Sequence, residues 1–136
     1  MKIKLDSHGI KPTRAHDTDA GLDLYCTTDA IIPARESLIV KTGVHIQLPH
    51  NTVGLIKSKS GLNVKNGIVS EGVIDEGYSG EIIVKLYNNS PYDYVVKRKD
   101  KIAQLLIVPC FYFYVELVDH IESGERGENG FGSTGR

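Results

Sequence analysis

The sequence has few cysteines, no excess of charge of one sign and no long apolar run. Its two cysteines, Cys26 and Cys110, form no disulfide framework, so a reduced, cytoplasmic protein is expected. Lys and Arg total 16 against 17 Asp and Glu, and the net charge of -1 argues against nonspecific nucleic-acid binding. The longest uncharged run, Ile102 to Val115, contains Gln104 and Pro109 and is too short to span a bilayer, so no membrane contact is expected.

The main pattern in the sequence is the recurrence of apolar residues at every second position. Apolar and polar residues alternate over residues 44–48, 82–87 and 92–97, which is typical of half-buried strands. Frequent Gly and Pro residues separate these stretches, as in an all-β barrel or sandwich. Only residues 60–67 indicate a helix, with a capping residue at its start and Gly67 at its end. The 136 residues predict a single domain.

The last stretch of the chain differs in composition. Five of the 14 glycines fall between Gly124 and Gly135, and Phe131 is the only aromatic residue among them. Such a segment cannot build a core, so the domain is predicted to end at residue 121, with a mobile tail over residues 122–136. The tail is either a frayed terminus or a flap. Arg126 and Arg136 at its ends suit closure over an anionic aromatic ligand.

Asp75 lies in the segment GVIDEGYSGE, residues 72–81, which predicts the tip of a β-hairpin. An aspartate in such a turn commonly caps backbone N–H groups. Alternatively it acts as a general base that orients a water molecule. Tyr78 is either a half-buried strand aromatic or a ring placed against a sugar.

A second group of residues suits an anion. Lys59, Ser60 and Gly61 stand where the short helix starts, and free N–H groups with a lysine there favour phosphate; the alternative is a plain serine cap beside solvated lysines. Asp23 interrupts an apolar strand, which indicates a structural salt-bridge partner or an acid near a metal. Gln104 interrupts another strand and is either functional or a buried amide satisfied by the backbone.

Several kinds of chemistry are disfavoured. The frame Gly127 to Gly132 resembles a phosphate loop, but the required lysine and the flanking strand and helix are missing. The five histidines show no ligand spacing, so a zinc site is not expected. No motif for a nucleophilic serine or cysteine occurs. The candidate residues are more consistent with attack of water on a phosphate, assisted by a hard cation, than with any of these chemistries.

Five segments, read in order, resemble the five motifs of the homotrimeric dUTPase family. They are residues 20–24 (AGLDL), 59–62 (KSGL), 72–80 (GVIDEGYSG), 101–105 (KIAQL) and 126–135 (RGENGFGSTG). The resemblance covers nearly the whole chain. It implies a jelly-roll-like, distorted β-barrel, a homotrimer with three shared active sites, and Mg²⁺-dependent hydrolysis of dUTP to dUMP and pyrophosphate. This reaction supplies the precursor of thymidylate and keeps uracil out of DNA.

The resemblance also implies roles for individual residues. Asp75 matches the base that activates the attacking water, and Tyr78 matches the tyrosine that packs under the deoxyribose and rejects UTP. Backbone groups from Val69 to Gly72 would read uracil. Asp23 would reach Mg²⁺ through water, and the metal would be held chiefly by the phosphates. The remaining substrate-binding residues would be Lys59, Ser60, Gly61, Gln104, Arg126, Phe131, Gly132, Ser133 and Thr134, with Phe131 stacked on uracil and most of the others near the phosphates.

Three residues depart from the common motifs. Lys59 and Lys101 stand where many members have Arg, and Asn129 stands where Gly is common. None of these changes removes a catalytic group. A deoxycytidine triphosphate deaminase shares the fold but is expected to lack the matches at Tyr78 and Phe131. A regulatory binding role remains the alternative from another class, with residues 88–98 as a variable surface.

Overall fold

The computed structural model describes residues 1–125 and residue 127. This part of the chain forms eleven strands and one short helix, mostly β as predicted. The elements are β1 (Lys2–Leu5), β2 (Gly21–Tyr25), β3 (Ala30–Ile32), β4 (Ser37–Lys41), β5 (Val44–Gln47), β6 (Thr52–Ser58), α1 (Ser60–Asn66), β7 (Ile68–Val69), β8 (Glu71–Ile74), β9 (Ile83–Asn88), β10 (Tyr94–Val96) and β11 (Lys101–Pro109). This helix, the only one in the described part of the chain, is not long and apolar enough to cross a membrane.

The strands pair into four small antiparallel sheets. Their orders are β2-β11-β6-β8, β4-β9-β7, β1-β5 and β3-β10. The pairing of the described strands forms no closed barrel, while the mostly β fold with one short helix agrees with the prediction. The reason is visible at β7 and β8, which follow each other in the chain but pair in different sheets. Their connection carries the chain from one layer to the other.

The period of two places alternate side chains in the core. In β9, Val84 and Leu86 are fully buried, whereas Ile83 and Tyr87 on the other face are exposed. Both larger sheets contribute to one apolar cluster, in which Leu24 and Leu105 are also buried. Removal of such side chains from water stabilises the fold by roughly 1.5–3 kcal/mol each. The three strands predicted from alternation are confirmed as β5, β9 and β10.

The predicted helix is confirmed, but its predicted cap is wrong. Helix α1 ends at Gly67, whose φ of 66° is left-handed and whose N–H donates to the carbonyl of Asn63. At the other end, Lys59 occupies the N-cap position and makes no side-chain capping bond. Ser60 is already the first helical residue, so its hydroxyl does not take the capping position.

The segment after β11 carries unusual exposed apolar surface. No described residue after Pro109 lies in a strand or helix, yet this stretch is rich in large apolar side chains. The exposed ones are Phe111, Tyr112, Phe113, Tyr114, Val115, Leu117, Val118 and Ile121. A patch of this kind on a single chain marks a contact surface. The division of the chain at residue 121 stays a prediction.

Candidate active site

A row of polar residues crosses the four-stranded sheet. Gln104 of β11 pairs with Asp23 of β2 on one side and with Lys57 of β6 on the other. Directly paired residues point to the same face of a sheet. The next row, in which Leu105 pairs with Leu22 and Ile56, points to the core. Asp23 and Gln104 therefore interrupt their apolar strands because they belong to the face opposite the core.

Asp23 is a buried carboxylate held by two lysines. Its side chain is 8% exposed, one oxygen accepts from Lys59 Nζ at 2.5 Å, and the other lies 2.7 Å from Lys101 Nζ. Burial acts to raise the pKa of this carboxyl, but the hydrogen bonds from Lys101 and Lys59 outweigh it, so the pKa lies below its ordinary value. In this arrangement Asp23 is the salt-bridge partner that the sequence left as one of two possibilities.

The same contacts bear on Mg²⁺. Both oxygens of Asp23 already accept hydrogen bonds from ammonium groups, and a cation placed there would face Lys59 and Lys101 at short range. These residues therefore do not fit a metal ion bound directly to Asp23.

The start of helix α1 presents open backbone. The first bond within the helix runs from Asn63 N to Lys59 O, so the N–H groups of Ser60 and Gly61 precede it. Both residues are exposed, and a Cβ at Gly61 would meet no atom within 4 Å. Gln104 Nε2 donates to Ser58 O at 3.1 Å, which is the satisfied amide predicted as its structural alternative. These groups and the Lys59–Asp23 pair share one end of the sheet.

Asp75 begins a tight turn after β8. Tyr78 N donates to Asp75 O at 3.1 Å and Gly77 has a φ of 90°, the left-handed value that a type II turn requires at that position. The Asp75 side chain is exposed and, among the described residues, its carboxylate makes no hydrogen bond. It does not cap the turn. The predicted hairpin tip is wrong in one respect, since β8 and β9 pair in different sheets.

A cavity of about 460 Å³ lies beside this turn. Its lining residues are His50, Val53, Asp75, Glu76, Gly77, Cys110 and Tyr112. The exposed carboxylate of Asp75 thus borders a space large enough to admit part of a small molecule.

Tyr78 is locked by its own turn. Its hydroxyl donates to Glu81 O at 3.0 Å, and its ring lies against Gly80. A Cβ at Gly80 would fall 2.4 Å from the Tyr78 oxygen and 2.5 Å from Cζ. The residue is 45% exposed, so part of a fixed ring is open to a ligand.

Glu76 was not among the predicted site residues, yet it anchors this turn. One oxygen of Glu76 pairs with His50 Nδ1; the other accepts from Asn51 N and from Tyr112 Oη, both at 2.9 Å. The hydrogen bonds from His50 and Tyr112 lower the pKa of Glu76, and the Glu76 carboxylate raises the pKa of Tyr112 to about 12. Glu76 therefore ties the Asp75 turn to the loop before β6 and to the segment after β11. An acidic residue adjacent to a predicted base was the only signal.

The predicted site residues fall into two separate groups. Asp75 follows Ile74, which pairs with Gly54, whereas Lys59 follows Ser58 at the far end of β6. The four residue steps from Gly54 to Ser58 alone span about 13 Å. One chain therefore does not bring the predicted base next to the predicted phosphate site.

The proposed uracil-reading residues lie between these groups. Val69 is in β7 and Gly72 is in β8, the edge strand of the four-stranded sheet. Between them, Ser70 N donates to Ser58 Oγ at 2.9 Å and fastens the crossover. The predicted tail residues Arg126, Phe131, Gly132, Ser133 and Thr134 lie outside the described residues.

Comparison with known proteins places this site in a family. The dUTPase family profile matches residues 7–135. The deoxyuridine 5'-triphosphate nucleotidohydrolase of Clostridium acetobutylicum is 42% identical over 139 residues, which cover 99% of this chain and 96% of the relative. The protein of the same name from Gloeothece citriformis is 45% identical over 141 residues, covering 99% and 97%. The solved structure of Staphylococcus bacteriophage 80alpha dUTPase with dUPNHPP has a TM-score of 0.92 at 30% identity and covers 99% of this chain and 98% of that one. This chain belongs to the dUTPase family.

Proposed function

We propose that Asp75 is the general base of dUTP hydrolysis by this chain. Membership of the family makes the chain a dUTP diphosphatase. The observation that supports the role of Asp75 is its exposed carboxylate, without a hydrogen bond among the described residues, on a tight turn beside a cavity. The carboxylate takes a proton from water as the water oxygen attacks the α-phosphorus. The bond to the bridging oxygen of the β-phosphate breaks, which releases dUMP and pyrophosphate.

Sugar and base selection follow from the same region. The open face of the Tyr78 ring lies where a deoxyribose can pack, and a 2′-hydroxyl would press against it. Strand β8 pairs with β6 on one side only, so its outer edge offers backbone N–H and C=O groups. The edge around Val69 to Gly72 can therefore hydrogen-bond the polar edge of uracil. Backbone readout of this kind needs no particular side chain.

We assign phosphate binding to the second group of site residues, which lies around Lys59. The N–H groups of Ser60 and Gly61 and the amide of Gln104 face the same end of the sheet as Lys59. Asp23 holds the Lys59 ammonium, so this lysine is oriented before a phosphate arrives. Arg126, Phe131, Gly132, Ser133 and Thr134 of the tail complete the proposed substrate contacts.

Assembly as a homotrimer accounts for two observations together. One chain keeps Asp75 apart from the Lys59 group, and residues 111–121 expose a largely apolar stretch. A trimer in which neighbouring chains share each site would bury that stretch and bring the two groups together from different chains. A regulatory protein partner has no support from the described surface.

The expected Mg²⁺ would be carried mainly by the phosphates of the substrate. The solved structure of a mutant dUTPase from phage phi11 of S. aureus, which matches this chain with a TM-score of 0.81 at 28% identity, shows the coordination of a structural Mg(II) ion in that protein. In this chain each oxygen of Asp23 accepts a hydrogen bond from one lysine, which leaves a lone pair that a water bound to Mg²⁺ could use. The cellular role proposed for the reaction is supply of dUMP for thymidylate and exclusion of uracil from DNA.

The test is the Asp75→Asn variant, assayed for pyrophosphate release from dUTP with Mg²⁺ and for nucleotide binding. Loss of a positioned base is expected to lower kcat by about 10²-fold or more while dUTP binding persists. Asp17→Asn is the matched control, because Asp17 is an exposed aspartate that lies far from Asp75 in the sequence, and this variant should retain full activity. Unchanged kcat in Asp75→Asn would overturn the assignment. Ammonia release from dCTP would instead indicate the deaminase reaction.

A further inference from the structure

We propose that Asp6, His8 and Glu81 form a binding site for a divalent transition-metal ion, separate from the Asp75 turn. The three side chains come from the end of β1, the turn after it and the segment before β9. One candidate ligand atom from each lies within 4.8 Å of the other two. Asp6 and Glu81 are partly buried, and His8 is exposed enough to admit an ion and its water. A cluster of this size matches the spacing of ligands around a single cation.

The two carboxylates are oriented by groups outside the cluster. His45 Nε2 lies 3.1 Å from one oxygen of Asp6, and the other ring nitrogen of His45 lies 2.9 Å from Ser79 O. Since a carbonyl and a carboxylate only accept, both ring nitrogens of His45 carry a hydrogen in this arrangement, and the ring is fixed as a cation beside Asp6. Glu81 Oε1 accepts from Gly43 N at 2.8 Å. Ligating carboxylates in metal sites are typically held by a second layer of hydrogen bonds of this kind.

The backbone around the cluster is also fixed. Asp6 N donates to Gly43 O at 2.9 Å, and Gly9 N donates to Asp6 O at 3.0 Å. Gly9 and Gly43 pack backbone against backbone, since a Cβ at Gly43 would fall 2.6 Å from Gly9 Cα. Only glycine allows this approach, and it places the His8 turn against the residues that hold Glu81. The candidate ligands therefore need little rearrangement to bind.

The cluster has two carboxylates, and the positive partners of both are histidines. His45 pairs with Asp6 and His8 lies beside Glu81, whereas Asp23 is held by two lysines. Among the described residues, no lysine or arginine forms an ion pair with Asp6 or Glu81. His8 Nε2 lies 3.5 Å from Glu81 Oε1, too far for a strong hydrogen bond and suitable for an ion between them. Two carboxylates and an unprotonated imidazole can all direct lone pairs at one point.

The ligand set decides the class of metal. An imidazole with two carboxylates suits Zn²⁺ and similar first-row ions, whereas Mg²⁺ and Ca²⁺ prefer oxygen ligands alone. Water would complete the coordination. A bound ion would join the segment after β1 to the segment before β9, because Asp6 and His8 lie in the first and Glu81 in the second. Glu81 is also connected to the Asp75 turn, since Tyr78 Oη donates to its carbonyl. Its direct effect is therefore on the stability of this junction.

The test measures Zn²⁺ binding by the full-length protein in the presence of excess Mg²⁺, by competition with a chromophoric chelator. One Zn²⁺ per chain is expected. His8→Gln and Glu81→Gln should each weaken binding by at least about tenfold, since loss of even a second-layer partner costs that much. Zn²⁺ should raise the melting temperature of the unmodified protein and not that of His8→Gln.

Two controls keep this test specific. His16→Gln alters another exposed histidine beside an aspartate, Asp19, where no third ligand is present among the described residues, and should leave Zn²⁺ affinity unchanged. His50→Gln removes the histidine beside the Asp75 cavity. Absence of stoichiometric binding, equal affinity in His8→Gln and unmodified protein, or loss of binding only in His50→Gln would each overturn the proposal. Dichroism spectra of each variant confirm that it is folded.

Discussion

The phenol ring of Tyr78 lies directly over the Cα of Gly80, so close that any side chain at position 80 would overlap it. A Cβ there would lie 2.4 Å from Tyr78 Oη. Two residues of one turn thus fix the face of the aromatic ring that the proposed mechanism sets against deoxyribose. The hydrogen bond from Tyr78 Oη to Glu81 O fixes the same, hydroxyl end of the ring.

Gly80→Ala should displace the Tyr78 ring and reduce activity without unfolding the protein. We expect kcat/KM for dUTP to fall by about tenfold or more, since small errors in substrate position have costs of this size. The ratio of dUTP to UTP turnover should fall as well. Steady-state pyrophosphate release from both nucleotides measures this. Ser79→Ala, at the exposed neighbour, is the control; equal losses in both variants would contradict the argument.

Asp23→Asn should destabilise the protein, because it removes the negative charge between Lys59 and Lys101. A loss of roughly 1.5–3 kcal/mol in the free energy of unfolding is expected, as for a charged hydrogen-bonded pair. The matched control is Glu71→Gln, which breaks the exposed pair with Lys57 and should cost no more than about 1 kcal/mol. Urea denaturation at neutral pH compares them. A smaller effect at Asp23 than at Glu71 would refute the importance of burial here.

The contribution of Asp23 should depend on pH in a definite direction. Its pKa is lower in the folded protein than in the unfolded chain, so its stabilisation is present above the unfolded value of about 3.9 and is lost as the pH falls through the folded value. The difference in unfolding free energy between unmodified protein and Asp23→Asn should therefore shrink below about pH 4. Denaturation curves from neutral to acid pH test this. If the difference in unfolding free energy between the two proteins grew as the pH fell, the assigned direction of the Asp23 pKa shift would be wrong.

Asn88 should be among the least replaceable polar residues. It is 1% exposed; its amide nitrogen donates to the carbonyls of Ile32, Pro33 and Tyr92, and its oxygen accepts from Ser90 N and Oγ. Asn88→Ala leaves these partners unsatisfied, and a loss of about 2 kcal/mol or more in unfolding free energy is expected. Asn89→Ala, next along the chain and exposed, should change stability by less than about 0.5 kcal/mol. Thermal and urea unfolding distinguish the two.

Local features of the fold could be predicted from the sequence because they depend on residues that are neighbours in the chain. Alternation over residues 82–87 places every second side chain on one face, and β9 buries Val84 and Leu86 accordingly. Gly67 ends helix α1 because the left-handed conformation there needs no Cβ. The N-cap was misplaced by one residue, because residue preference favours Ser60 there, whereas tertiary packing starts the helix at Ser60 with Lys59 before it.

Sheet partners were not readable in the same way. Nothing local to residues 71–74 states that β8 pairs with β6 while β9 pairs with β4 and β7. The predicted paired hairpin at Asp75 failed for that reason. Glu76 was also missed, because its partners His50 and Tyr112 lie far away in the chain.

The short strands, the single short helix that ends at Gly67 and the turn at Asp75 could all be inferred from the amino-acid order, because they depend on alternation, glycine positions and nearest neighbours. The order of the motifs likewise indicated the family. Three relationships emerged from the folded chain alone: Asp23 is held by two lysines, Asp75 lies apart from the Lys59 group, and Asp6, His8 and Glu81 meet. Those relationships depend on how distant strands pack, and the free energy of packing is shared over the whole core rather than written in any one segment.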